Sequence, residues 1–172
     1  MAILNFLPEF KIVEINRSTG LVAGHVLAQF PLEDGSDLIN TKGGVDYLEN
    51  GFIVGLSSAL ELEPFNATDH AQPLLVFTEE LNTFFDGLKW YATIEDQDDN
   101  RIYPRAIGLF VGDAFTTNNF AGTYNTEAFA KVTNGVLTLQ ATADGDTLFA
   151  VEESTLPNGD LALRFVFVGE VA

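Results

Sequence analysis

Short apolar segments separated by turn residues run along the whole chain and predict strands rather than helices. The segments are rich in Val, Ile, Leu, Phe and Thr, which is typical of strands. The predicted strands before the last third cover residues 10–16, 21–30, 52–56, 73–77, 88–94 and 102–110. Residues 31–44 are polar and predict a long loop. Pro104 places its strand at a sheet edge or a bulge, because proline cannot donate a ladder hydrogen bond.

The last third of the chain has the clearest pattern. The strands predicted there cover residues 128–133, 136–142, 147–153 and 161–168. Asn134-Gly135 joins the first two, and this dipeptide is a strong hairpin signal because both central residues of such a turn need positive φ. Turn-forming residues at 143–146 and 156–160 precede the third and fourth strands. The pattern predicts four strands in up-and-down order, an antiparallel meander.

Helix signals are confined to residues 78–87, where Thr78 suits an N-cap and Gly87 a stop. The segment is long enough for barely two helical turns, so an irregular turn is an equal alternative. We therefore predict an all-β fold, a small barrel or sandwich with a C-terminal antiparallel meander and little helix.

The predicted strands fall into three units. Residues 1–44 form an N-terminal arm and the first strands, residues 45–119 a central β unit, and residues 120–172 the C-terminal β meander. A polar join near 118–127 separates the last two units. The alternative is one compact domain, which a chain of 172 residues also permits.

Charge and cysteine content exclude several classes of function. The 25 acidic and 8 basic residues give a formal net charge of −17, so phosphate backbones and anionic lipid repel the chain. We expect neither nucleic acid nor membrane as a partner. The chain has no cysteine, which excludes disulfides, thiolate catalysis and cysteine-based metal sites. Residues 1–10 lack the features of a signal peptide, so we expect synthesis in the cytoplasm without Sec export.

Candidate catalytic residues lack the partners that catalysis requires. Asp113 follows Gly112, and a Gly-Asp pair between strands predicts a tight turn. A catalytic carboxylate is the alternative, but it would need a partner, and none is near Asp113 in sequence. Ser57 lies in GLSSA, which lacks the second glycine of a nucleophile elbow. His25 lies in an apolar strand, which predicts a structural role rather than that of a catalytic base. His70 lies in a polar loop, and two histidines so distant in sequence make a weak case for a metal site.

Calcium and cofactor signals are also incomplete. Residues 95–100 place Asp96, Asp98 and Asn100 at alternate positions, but Arg101 and Ile107 stand where an EF-hand loop needs Gly and Glu. Loose calcium binding there, or at Asp144 and Asp146, is the alternative to solvated hairpin tips. No phosphate-binding or dinucleotide-binding loop is present, so we expect no cofactor. These patterns favour a binding or assembly protein over an enzyme.

The order of three segments resembles that of a known protein family. YLENGFIVGL (47–56) precedes PLLVFTEEL (73–81), which precedes IYPRAIGLFVGDAFTTNN (102–119). This order is similar to that of the capsid decoration proteins of tailed bacteriophages, also called head-stabilising or cement proteins. The second segment lacks the proline that the family commonly has there. The turn residues that carry the resemblance are Glu49, Asn50, Gly51, Arg105, Gly112 and Asp113.

The resemblance implies a structural virion protein without enzymatic activity. Such proteins bind the outer surface of the capsid in many copies, commonly as homotrimers, and clamp neighbouring capsid subunits against internal DNA pressure. The implied partner is the major capsid protein, and the implied location is the outer capsid surface after synthesis in the bacterial host cytoplasm.

The N-terminal ten residues are candidates for contact with the capsid or with another subunit. The apolar residues there are Ile3, Leu4, Phe6, Leu7 and Phe10. These are many apolar side chains for a free terminus, which favours an arm that docks on another surface. An ordinary first strand of the same domain is the alternative.

Two other functions fit parts of the sequence. A receptor- or glycan-binding β module of a phage head or tail fibre would use exposed aromatic side chains, and Trp90, Tyr91 and Tyr103 could form such a platform. A hydrolase would pair Asp113 with a carboxylate distant in sequence.

Overall fold

Strands account for all the regular secondary structure that the computed structural model describes. It describes residues 13–14, 26–27, 30–33, 36–42, 45–77, 104–155 and 161–169, and these contain no helix. The strands are β1 Val13–Glu14, β2 Val26–Leu27, β3 Ile39–Lys42, β4 Val45–Leu48, β5 Ile53–Leu56, β6 Leu62–Pro64, β7 Leu74–Val76, β8 Ala106–Gly108, β9 Ala114–Thr117, β10 Phe120–Ala121, β11 Phe129–Thr133, β12 Val136–Gln140, β13 Thr147–Thr155 and β14 Leu161–Phe167. The all-β prediction is confirmed. A search of the same residues for a helix long and apolar enough to cross a bilayer finds none.

Seven strands form the larger sheet, in the order β1, β9, β14, β13, β11, β12, β10. Neighbours are antiparallel except β10 and β12, which are parallel. The predicted hairpin is present between β11 and β12. Asn134 and Gly135 have φ values of 46° and 76° there, so both turn residues adopt the left-handed conformation that the dipeptide predicts.

The predicted up-and-down order of the last four strands is wrong at one position. β13 pairs with β11 and not with β12, and the register shifts between Ala130 and Lys131. The other edge of β12 is occupied by β10, where Phe120 lies opposite Leu137. Because β12 already has a neighbour on each side, β13 adds to the far edge of β11.

The larger sheet curls back on itself. β9 ends at Thr117 and β10 begins at Phe120, yet they occupy the second and seventh places in the sheet. In a flat sheet five strand spacings would separate them by about 24 Å, at about 4.8 Å each. Three Cα–Cα steps span at most about 11 Å. One short segment, 114–121, therefore joins the two sides of a strongly curved sheet.

The smaller sheet has the order β2, β8, β7, β5, β6 and is antiparallel throughout. It packs on the larger sheet in a sandwich-like arrangement. Ile53 and Leu75 lie in one cluster with Leu137 and Phe149 of the larger sheet. The N–H of Ile53 also donates to the carbonyl of Gly135 over 2.8 Å, so a backbone hydrogen bond joins the two sheets.

β5 and β7 of the smaller sheet are buried on both faces, which explains their continuous apolar sequences. Val54, Leu74 and Val76 alternate with the residues that face the larger sheet and belong to a second cluster. That cluster includes Leu38, which precedes β3, and Leu48, the last residue of β4. A strand buried on both faces has no polar side to alternate with its apolar side.

The remaining predictions differ in their outcomes. The loop predicted at 31–44 contains β3, and the Gly43-Gly44 dipeptide that follows it is a hairpin signal that the loop prediction overlooked. Pro104 precedes its strand, because β8 begins at Ala106.

Hydrogen bonding between strands crosses the limits of the three predicted units, because β14 pairs with β9 and β9 pairs with β1. The independence of the three units stays a prediction. Segments 78–87 and 88–94 lie outside the described residues.

Candidate functional site

The loop from Leu109 to Asp113 connects the two sheets, and Asp113 holds its shape. Asp113 is 3% exposed, and its Oδ2 accepts a hydrogen bond from the N–H of Phe110 over 2.9 Å. The N–H of Asp113 in turn donates to the carbonyl of Phe110 over 2.9 Å. Gly112 has a φ of 97°, a conformation that favours glycine. The structure therefore places Gly112 and Asp113 in a tight turn.

Backbone hydrogen bonds attach this turn to the end of β14. The N–H of Gly112 donates to the carbonyl of Phe167, and the N–H of Phe167 donates to the carbonyl of Asp113, each over 2.8 Å. The buried carboxylate points to the loop backbone, whereas Phe110 and Val111 at the tip are 48% and 73% exposed. The loop thus presents apolar side chains, not its acid, to the outside.

We expect Asp113→Ala to lower the free energy of unfolding by about 1–2 kcal/mol, because the N–H of Phe110 loses its acceptor in a partly buried site. Asp113→Asn keeps an acceptor oxygen and should cost less than half as much. Urea denaturation of both variants measures the difference. Equal losses for the two variants would contradict a turn held by this hydrogen bond.

The family-like turn at 49–51 lies at the opposite end of β9. Gly51 has a φ of 90°, and its N–H donates to the carbonyl of Val76 over 2.9 Å. The side-chain Nδ2 of Asn119, a residue only 6% exposed, donates to the carbonyl of Asn50 over 2.8 Å. The turn at 49–51 and the end of the segment 102–119 are therefore in direct contact.

Arg105 is exposed and lies immediately before β8. Its carbonyl accepts a hydrogen bond from the N–H of Phe77 over 3.0 Å, which continues the pairing of β7 with β8. Val76, the residue before Phe77, accepts the hydrogen bond from the N–H of Gly51, so the backbone pairing of Arg105 lies one residue from that of the turn at 49–51.

His70 has a structural environment that its position in a polar loop did not suggest. Its Nε2 lies 2.8 Å from Oε1 of Glu63, and the N–H of Asn66 lies within 3.0 Å of its Nδ1. The ring packs on Phe65 at a centroid distance of 5.7 Å and lies against Gly55. The histidine fastens its loop to β5 and β6. Asn66 and Phe65 are near His70 in sequence, but its contacts with Glu63 and Gly55 depend on how the loop lies against β6 and β5, which no local signal indicates.

A cleft of about 850 Å³ lies beside His70. Loop residues 66–69 form one wall, and the end of β11 with the turn at 145–146 forms another. Acidic side chains from four places in the chain line it, namely Glu33, Glu63, Asp69 and Asp146, together with Lys131. Sequence analysis missed the cleft because its walls come from separate segments.

Ser57 caps a turn and does not resemble a catalytic nucleophile. Its Oγ accepts hydrogen bonds from the N–H groups of Ala59 and Glu61, over 3.3 and 3.2 Å. Leu60 in the same turn has a φ of 64°, and the chain continues into β6 rather than into a helix. A nucleophile elbow needs a strand-to-helix turn, so this geometry does not fit one.

Asp144 also holds a turn. Its carboxylate accepts hydrogen bonds from Gln140 Nε2 over 2.7 Å, from the N–H of Asp146 over 3.1 Å and from Thr147 Oγ1 over 3.2 Å. Lys131 Nζ lies 3.9 Å away. Within the described ranges, no three His, Asp or Glu side chains come together as metal ligands would. Asp96, Asp98 and Asn100 lie outside those ranges.

Burial alone would raise the pKa of Asp144, but the hydrogen bonds from Gln140, Asp146 and Thr147 and the charge of Lys131 hold the pKa below its ordinary value of 3.8. A carboxyl with a lowered pKa in the folded protein stabilises it above the unfolded pKa. This stabilisation is lost as pH falls through the folded pKa. We expect an NMR titration of the Asp144 carboxyl to have its midpoint below 3.8, and Gln140→Ala to raise it. A midpoint above 3.8 would contradict this hydrogen-bond arrangement.

Several predicted site residues lie outside the described part of the chain. These are His25, the apolar N-terminal set Ile3, Leu4, Phe6, Leu7 and Phe10, and the aromatic set Trp90, Tyr91 and Tyr103. Their roles stay predictions. Comparison with known proteins gives no family model, no curated protein and no solved structure that matches this chain.

Proposed function

We propose that this chain is a structural virion protein that binds the outer surface of a tailed-phage capsid. It stabilises the shell by clamping neighbouring subunits of the major capsid protein, and it does so as a homotrimer. The order of the three family-like segments in the sequence is the origin of this proposal. The proposed role of the protein involves no catalytic step and needs no cofactor.

The observation that carries the proposal is the way the resembling segments assemble. The turn at 49–51 contacts the end of the segment 102–119 through Asn119, and β5, β7 and β8 of these segments are neighbours in one sheet. Within this framework, side chains that could have been catalytic hold turns instead. Asp113 and Ser57 both accept hydrogen bonds from the backbone of their own loops. A scaffold whose surface loops are held by such hydrogen bonds suits a protein that clamps capsid subunits.

The net charge of −17 also suits a protein on the outside of a capsid. An anionic outer layer is repelled by the packaged genome and by other particles. A clamp of ordinary size buries about 1,600 Å² in total. Many copies on one shell make a modest affinity per copy sufficient. Each bound copy stabilises subunits that neighbouring copies stabilise as well.

Sedimentation with purified shells tests the proposal. The chain is mixed with expanded and with unexpanded DNA-free shells of the phage that encodes it, and the pelleted protein is quantified. We expect saturable binding to expanded shells and a higher disassembly temperature of the decorated shells. Failure to bind either form of the shell would contradict the proposal.

Deletion of residues 2–9 tests the N-terminal arm. We expect the deleted chain to keep its thermal unfolding transition and to lose shell affinity by about tenfold or more, because docked apolar side chains contribute binding free energy without belonging to the core. Leu161→Ser, which removes an exposed apolar side chain elsewhere, is the control and should bind normally. A deleted chain that no longer folds would show that this stretch is a core strand.

A further inference from the structure

The chain contains three Asn-Gly dipeptides, at 50–51, 134–135 and 158–159. Asparagine before glycine deamidates readily, because glycine has no side chain to keep its backbone nitrogen away from the asparagine carboxamide. The reaction needs a free carboxamide, a glycine N–H that is free to lose its proton, and access for water. The first two dipeptides lie among the described residues, and their environments differ in these respects. The third lies outside them.

The turn at 134–135 leaves the reacting groups free. Asn134 is exposed at the tip of the β11–β12 hairpin and lines the cleft beside His70. Across the part of the chain that the structure describes, no residue shares a hydrogen bond with the Asn134 carboxamide, and none accepts one from the N–H of Gly135. The bond that holds the turn is made by the carbonyl of Gly135, which accepts the N–H of Ile53. That carbonyl takes no part in deamidation.

The turn at 50–51 has its reacting groups engaged. The N–H of Gly51 donates to the carbonyl of Val76 over 2.9 Å, so the nitrogen cannot attack without breaking this hydrogen bond. The carbonyl of Asn50 accepts a hydrogen bond from Nδ2 of Asn119, and Asn50 is only half-exposed. The same dipeptide is therefore protected at 50–51 and unprotected at 134–135.

We infer that Asn134 is a site of spontaneous deamidation in the folded protein. The backbone nitrogen of Gly135 loses its proton and attacks Cγ of Asn134. A bond forms between these two atoms, the bond from Cγ to Nδ2 breaks, and ammonia leaves with the proton. Water then opens the five-membered imide and gives aspartate or isoaspartate. Both imide carbonyls belong to Asn134, which is exposed, so water reaches them although Gly135 is buried.

The modification would change both the cleft and the hairpin. It adds a carboxylate to a cleft that four acidic side chains already line. Isoaspartate also adds a methylene to the backbone of a two-residue turn, between the paired residues Thr133 and Val136. The inserted atom moves the carbonyl of Gly135 relative to Ile53, where a hydrogen bond joins the two sheets. None of this rests on capsid binding.

Ageing of the full chain followed by peptide mapping is the experiment. The folded chain is incubated in mildly alkaline buffer at body temperature and digested, and mass spectrometry quantifies the asparagine, aspartate and isoaspartate forms of each peptide. We expect Asn134 to react about tenfold faster than Asn50, the difference that one broken hydrogen bond produces. In urea that hydrogen bond is absent, so the two residues should react at similar rates.

Asn134→Gly is the matched control, because glycine also adopts the positive φ that this turn needs. Its hairpin peptide should gain no mass on ageing, while the peptide with Asn50 behaves as in the unaltered chain.

Three results would overturn the inference. The first is equal rates at Asn134 and Asn50 in the folded chain. The second is an Asn134 that stays intact in the folded chain for the time in which the urea-unfolded chain converts it. The third is a mass gain that persists in the hairpin peptide of Asn134→Gly, because the reacting residue would then be another one.

Discussion

Phe165→Ala is expected to lower the free energy of unfolding by about 3–5 kcal/mol, the range for removing a large aromatic side chain from a core. Phe165 is fully buried in β14. Its ring stacks on Phe115 at a centroid distance of 5.8 Å and meets Phe149 edge to face at 6.3 Å. Phe120 of β10 packs on it at 6.2 Å. The ring therefore fills the space that the curled sheet encloses, and its loss leaves a cavity there.

Leu161→Ala on the same strand is the control for this prediction. Leu161 is 52% exposed, so its truncation should change the free energy of unfolding by about 0.5 kcal/mol or less. Urea denaturation followed by circular dichroism gives both values. Equal effects of the two substitutions would contradict a core centred on Phe165.

Gly55→Ala is expected to cost about 2–3 kcal/mol, because a β-carbon at this position would lie 2.1 Å from the ring of His70. The ring has no room to stay where it is. It would have to leave Glu63 and Asn66, and the loop that it fastens would come away from β5 and β6.

A double-mutant cycle shows whether the ring is the cause. In a His70→Ala background the obstacle is absent, so Gly55→Ala should cost at least about 1 kcal/mol less than it does alone. Thermal or urea unfolding of the four proteins gives the coupling energy. Additive effects of the two substitutions would show that Gly55 is needed for some other reason.

Local chemistry explains the parts of the fold that the sequence predicts well. Asn134-Gly135 sets its own hairpin, since the required positive φ values are a property of these two residues. The apolar runs at 52–56 and 73–77 predict strands, and the structure has β5 and β7 there. The turn at Gly112-Asp113 follows from the same local reasoning. Each signal lies within a few residues of the structure it predicts.

Pairings between distant segments could not be predicted in this way. The position of β13 beside β11 depends on β10 occupying the edge of β12, which in turn depends on the curl of the sheet. The contacts of His70 with Gly55 and Glu63 depend on the path of its loop across two strands.

Quantitative mass spectrometry of purified particles tests the proposed function most directly. It measures the copy number of this chain relative to the major shell protein in virions of the phage that encodes it. The proposal predicts a ratio near one or a simple fraction of it, as expected for a protein that covers the shell lattice. A few copies per particle, or none, would contradict a decoration role.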